Sequence, residues 1–195
     1  MTKEPEVVRA FTAIEIPESA KSFLSGIESD LKRVGADVKW VKPESIHLTL
    51  KFLGDVRTDR VPVFEADLGP MFLAFHPFEI RISGVGAFPD LRRPRVIWAG
   101  LDDPSGGLVP LARQVEDIFL VHGFNREKRG FNPHLTVGRV RSAKGQYDLV
   151  EAVRERMDIV GPVFPVQSVV LFQSILRPTG AVYRALSRFP LGGAS

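Results

Sequence analysis

The sequence predicts an α+β fold of two pseudo-duplicated lobes. The lobes carry antiparallel-rich sheets and outer helices, with one short histidine motif per lobe facing a central cleft. Three observations carry this expectation. Strand-like and helix-like segments follow one another irregularly, which disfavours a doubly wound parallel sheet. Two of the four histidines lie in near-identical apolar tetrapeptides, HLTL from His47 to Leu50 and HLTV from His134 to Val137. The order strand, helix, strand, histidine strand recurs loosely in the second half. No linker or low-complexity stretch intervenes, so residues 1–195 read as one domain.

Residues 7–16, VVRAFTAIEI, read as a strand that Pro17 ends. Phe23, Leu24, Ile27, Leu31 and Val34 then fall at helical spacing, with Gly35 as the stop. DVKWV (37–41) is a short strand, KPES a turn, and IHLTLKFLG (46–54) a strand by its β-branched and aromatic content. Val61, Phe64, Leu68, Met71 and Phe75 recur helically around Pro70, which predicts a break or kink there. FEIRISGVGAF (78–88) and VIWAGL (96–101) are strands separated by the basic loop RRPR. A helix from Ser105 presents Leu108, Leu111, Val115, Ile118 and Phe119 and stops at Gly123, before the loop GFNREKRGFNP. HLTVGRV (134–140) is a strand, and a short helix spans roughly residues 149–157. FPVQSVVLFQSIL (164–176) and YRALSRF (183–189) close the chain as strands joined by a Pro-Thr-Gly turn, and LGGAS reads as a frayed tail.

Composition narrows the function classes. The chain has no Cys, which excludes disulfides and thiolate metal sites. Its first residues lack a signal-peptide pattern, and no apolar run approaches the ~20 residues that span a bilayer. A cytoplasmic monomer is the expectation. Lys and Arg number 26 against 23 Asp and Glu, a mild basic excess that permits a phosphate-bearing partner.

Side chains alternate faces along a strand. His47 and Thr49 therefore share one face, and Leu48 and Leu50 the other. His134 and Thr136 are set against Leu135 and Val137 in the same way. One neutral and one protonated imidazole across a cavity form an acid–base pair, because imidazole titrates near neutrality. The two Thr hydroxyls can donate to non-bridging phosphate oxygens and stabilise developing charge. In-line displacement at phosphorus needs those parts. A metal site is disfavoured, because neither motif has a His or carboxylate at short ligand spacing. No G-x-S-x-G elbow and no phosphate-binding Walker loop is present.

The chain resembles the two-histidine (2H) phosphoesterase superfamily, and within it the RNA 2′,3′-cyclic phosphodiesterases, also called 2′-5′ RNA ligases. The resemblance runs from about Arg9 to Phe189 through RAFTAIEIP, WVKPESIHLTLKFLG, FPDLRRPRVIWAGL, FNPHLTVGR and VVLFQSILRPTGAVYRAL. It implies that His47 is the proton donor to the leaving ribose oxygen and His134 the proton acceptor that activates water. Thr49 and Thr136 would hold the phosphate, with no cofactor and no metal. It further implies an RNA substrate ending in a 2′,3′-cyclic phosphate, opened to a 2′-phosphate, with joining of tRNA halves through a 2′-5′ bond as the related reaction. Alternatives are a 2′,5′-oligoadenylate or ADP-ribose cyclic phosphate phosphodiesterase, or an RNA-binding protein with a relic site.

Arg139 stands where the family often has a phosphate contact. Strict alternation puts it on the face opposite His134, so it reaches the site only if the strand bends or bulges at Gly138. Phe52 is a candidate base-stacking residue. Trp40, Phe11 and Phe131 are candidates for the cleft or the core. Arg92, Arg93 and Arg95, and Arg126, Lys128 and Arg129, are two basic loop clusters that can funnel RNA. His76 and His122 lack a Thr partner and receive no role.

Overall fold

The computed structural model describes residues 6–178 and 180–192. Its strands are β1 (Val7–Glu15), β2 (Val38–Trp40), β3 (His47–Arg57), β4 (Phe78–Phe88), β5 (Val96–Asp102), β6 (His134–Val140), β7 (Val160–Val166), β8 (Ser168–Arg177) and β9 (Gly180–Pro190). The helices are α1 (Glu18–Lys32), α2 (Val61–Leu73), α3 (Leu108–Val121) and α4 (Gln146–Arg154). All strand pairs are antiparallel, in the order β7-β4-β5-β6-β3-β1-β8-β9, with β2 added on β6. The order divides at its middle into two halves of four strands, and each half has its histidine strand innermost. The α+β class with a large antiparallel sheet is as the sequence predicts.

The halves join twice. Between β3 and β6 the registered pair is Leu48 with Leu135. Elsewhere only Gln167 separates β7 from β8, which belong to opposite halves. In a flat sheet those strands would lie roughly 30 Å apart at ~4.8 Å per strand. One residue spans about 3.5 Å. The sheet must therefore curl. This corrects the reading of residues 164–176 as one strand: the run serves β7 up to Val166 and β8 from Ser168.

The helices cover one face. Ala20, Leu24, Ile27 and Leu31 of α1 recur at three- and four-residue steps and are buried, as are Leu108, Leu111, Ala112, Val115 and Phe119 of α3. α2 and α3 pack on each other and reach β9 and β3, while α1 and α4 pack on each other and reach β7 and β4. These faces merge with Leu48, Leu50, Leu135 and Val137 into one continuous core. A smaller apolar cluster of Phe11, Ala13, Val170 and Phe172 is separate from it. No helix among the described residues is long and apolar enough to cross a membrane.

Two further expectations change. α2 runs through Pro70 to Leu73 instead of breaking there. Proline removes one ladder hydrogen bond, and this close to the helix end little of the ladder remains to be disrupted. The stretch read as a frayed tail is ordered at its start: Leu191 is buried and donates its N–H to the Gln167 carbonyl at 2.8 Å. Residues 193–195, and Thr179 of the Pro-Thr-Gly turn, lie outside the described residues.

Candidate active site

Strand register brings the two motifs together. Leu48 and Leu135 pair across the seam and both enter the core. Continued by one residue, that antiparallel register sets His47 against Thr136 and Thr49 against His134. All four then face away from the helices. The face is concave, because Tyr183 on β9 lies edge-on to His47 at 4.9 Å between ring centroids, although β1 and β8 stand between their strands.

A bulge falls at the last residue of each motif. In β3, Thr12 pairs with Lys51 and Ala13 with Thr49, so Leu50 is an extra residue. In β6, Ile97 pairs with Gly138 and Trp98 with Thr136, so Val137 is the extra residue. Each bulge resets the alternation. Leu50 and Lys51 both turn inward, as do Val137 and Gly138. Phe52 and Arg139, each five positions after its histidine, thereby rejoin the histidine face. Phe11 links His47 and Phe52, with ring centroids at 4.8 and 5.8 Å. Phe52 itself is 63% exposed, so its ring is available to a ligand. The bend invoked for Arg139 thus exists, at Val137 instead of Gly138. Gly138 has a different reason to be glycine: a Cβ there would lie 2.7 Å from Val38 and 2.9 Å from the Trp40 ring.

The two imidazoles are held alike. His47 Nδ1 lies 2.9 Å from the Ser45 carbonyl, and His134 Nδ1 lies 2.8 Å from the Asn132 carbonyl. A carbonyl only accepts, so each Nδ1 carries the hydrogen and each Nε2 is left for a ligand. Neutral, Nε2 accepts a proton; charged, it donates one. Burial pushes the His47 pKa down, and the bond to Ser45 offsets part of that shift. Aromatic rings line both histidines. Phe11 and Tyr183 flank His47, and Phe88 stands edge-on to His134 at 4.9 Å.

Sequence reasoning missed Tyr183 and Phe88, which come from strands whose place beside the motifs no local pattern discloses. Burial raises the Tyr183 pKa against the opposing pull of the Arg139 charge, so the phenol keeps its hydrogen. Arg139 and Tyr183 line the same groove, and Tyr183 packs edge-on against His47.

Lys51 occupies the core side of β3, with its side chain 1% exposed, and bonds to Glu116 of α3 at 2.7 Å and to the Asn125 carbonyl at 2.9 Å. It fastens the loop that leads to His134. Phe11 is both core and cleft: 2% exposed, yet its ring packs at a tilt against His47. Phe131 packs against the main core. Of the basic clusters, Arg126 pairs with Asp117 and Arg92 with Asp90, which blunts both as free charge. His122 is bound to Asp67 at 2.8 Å and packs on Phe64, a structural role, and His76 is exposed. Among the described residues no three His, Asp or Glu side chains gather as metal ligands.

The family model described as the 2′-5′ RNA ligase superfamily matches residues 27–174. Over 184 residues the chain is 37% identical to the RNA 2′,3′-cyclic phosphodiesterase of Methanothermobacter thermautotrophicus, covering 94% of this chain and 99% of that protein. It is 33% identical over 194 residues to the RNA 2′,3′-cyclic phosphodiesterase of Aquifex aeolicus, covering 96% and 100%. The crystal structure of TT0787 of Thermus thermophilus is similar at a TM-score of 0.79 and 28% identity, covering 96% and 100% of the two chains. E. coli LigT complexed with 3′-AMP shares the fold at a TM-score of 0.74 and 23% identity, covering 95% and 99%.

Proposed function

Because the chain belongs to the 2′-5′ RNA ligase superfamily, we propose that it is an RNA 2′,3′-cyclic phosphodiesterase that opens a terminal cyclic phosphate to a 2′-phosphomonoester. The observation that carries this reading is the pair of imidazoles on one concave face, each with Nδ1 spent on a backbone carbonyl and Nε2 free.

His134 Nε2 takes a proton from water, and the water oxygen attacks phosphorus. The P–O3′ bond breaks on the opposite side, and His47 Nε2–H gives its proton to O3′. Thr49 and Thr136 donate to the non-bridging oxygens, and Arg139 neutralises charge beside them. Phe52 stacks on the terminal base. The reaction leaves the imidazoles with exchanged charge, and proton exchange with solvent restores them. A 5′-hydroxyl in place of water gives a 2′-5′ bond by the same steps, which would join tRNA halves. Bulk water outcompetes that nucleophile, so hydrolysis dominates. We read the two halves as lobes of one catalytic domain, working as a cytoplasmic monomer.

Incubation with RNA ending in a 2′,3′-cyclic phosphate, in the presence of EDTA, tests the reading. A 2′-phosphate end, identified by phosphorus NMR, is expected. A 3′-phosphate end overturns the pose that sets His47 against O3′. Loss of activity in EDTA with recovery on adding a divalent ion overturns the metal-free chemistry. No turnover, with RNA still bound, favours the relic-site alternative.

A further inference from the structure

A groove of about 480 Å³ opens beside the site, between β2 with the turn that follows it and the tip of the β8–β9 hairpin. It begins at the catalytic end, where Ser45, Arg139 and Tyr183 line it. Its floor and rim are cationic. Lys39 on β2 pairs directly opposite Arg139 on β6, and Lys42 lies three residues on. Like charges facing across antiparallel strands repel. Neither Lys39, Lys42 nor Arg139 makes a salt bridge among the described residues. Glu44 is the one acid on the lining. An anion between the cations would relieve the repulsion.

The opposite wall is apolar. Leu176 pairs with Ala181, so it shares the face of Tyr183, and it lines the groove at 67% exposed. Tyr183 adds a ring. Cations on one side and flat apolar surface on the other form the pattern that holds single-stranded nucleic acid, phosphates to the cations and bases to the wall. Duplex RNA offers no free base faces.

We propose that this groove holds the nucleotides on the 5′ side of the terminal cyclic phosphate of a single-stranded RNA. The inference rests on the phosphodiesterase reading and extends it from the reacting nucleotide to the chain behind it. It makes the enzyme selective for RNA ends over free cyclic nucleotides. The basic loops at 92–95 and 126–129 are not needed for this path.

The test compares kcat/KM on 2′,3′-cyclic AMP with kcat/KM on a short single-stranded oligoribonucleotide ending in the same cyclic nucleotide. The exposed positions Lys42 and Leu176 lie on opposite walls. The wild type should prefer the oligonucleotide at least ~10-fold, through KM and more steeply at low salt. Lys42→Glu and Leu176→Glu should each remove most of that preference while leaving the mononucleotide within about two-fold. No preference in the wild type, or equal losses on both substrates, overturns the groove. Anisotropy of a labelled single-stranded RNA with a plain 3′-hydroxyl keeps the two readings apart. RNA binding weakened by both variants, in a protein that turns over neither substrate, keeps the groove and refutes the phosphodiesterase. Normal mononucleotide turnover with RNA binding untouched by either variant does the reverse.

Discussion

Leu48 and Leu135 stand opposite each other on β3 and β6, at the registered pair that joins the two halves of the sheet. Both are buried, and their burial aims the neighbouring His47 and His134 at the other face. A one-residue slip at this seam would exchange the leucines for the histidines. Leu48→Ala should therefore cost stability and site geometry together, roughly 2–5 kcal/mol in urea unfolding. The residual folded enzyme should also be slower on a cyclic nucleotide. Unchanged stability would mean that the seam does not depend on this contact.

Lys51 is the buried charge behind the site. Removing it leaves Glu116 unpaired and the Asn125 carbonyl without its donor. Lys51→Ala should destabilise by about 3–5 kcal/mol. Lys51→Met with Glu116→Gln should recover much of that, because the double variant buries no lone charge. Denaturation of the single and double variants checks the order. A double variant as unstable as Lys51→Ala would contradict it.

The His47 pKa gives a signed pH dependence. His47 must be protonated to act as the acid, and burial holds its pKa below the ordinary value. Rising pH removes that proton, so kcat/KM should fall on the alkaline side of its pH profile. A bound phosphodiester anion favours imidazolium, so the matching limb in kcat should lie at higher pH. The limbs belong to the coupled pair and are not assigned to one residue. A pH series on 2′,3′-cyclic AMP measures both. A kcat limb at or below the kcat/KM limb contradicts the assignment.

Phe52 and Arg139 occupy equivalent places after the two bulges, and they should fail differently. Phe52→Ala removes a stacking surface and should raise KM about 10-fold with kcat little changed. Arg139→Ala removes charge beside the phosphate and should lower kcat/KM by ~10²-fold, with Arg139→Lys recovering part. The two variants measured on one cyclic nucleotide separate base binding from charge stabilisation. Identical KM effects would mean that both residues serve binding alone.

The α+β class and the alternation within each motif were legible because periods of two and 3.6 residues are written locally. What the sequence left ambiguous depends on pairing. The bulges at Leu50 and Val137 carry no signature, since a bulge is defined by the partner strand. Strict alternation therefore set Arg139 on the wrong face. Residues 164–176 read as one strand because only Gln167 and Ser168 interrupt the apolar run at that point, while Val166 and Ser168 pair with opposite halves. Tyr183 reaches His47 only because the sheet curls, and Lys39 opposes Arg139 only once β2 is placed on β6. The helices covering each half come from both parts of the chain, which no repeat in the sequence discloses.

The two histidines as one acid–base unit are the centre of the account. Single-turnover rates on RNA ending in a 2′,3′-cyclic phosphate should be measured for the wild type, His47→Ala, His134→Ala and the double variant. Circular dichroism confirms that each is folded. Each single variant should lose at least ~10²-fold, and the double variant should be scarcely slower than either, because an acid without its base does little. A folded single variant with near wild-type turnover, or losses that multiply in the double variant, would contradict the paired mechanism.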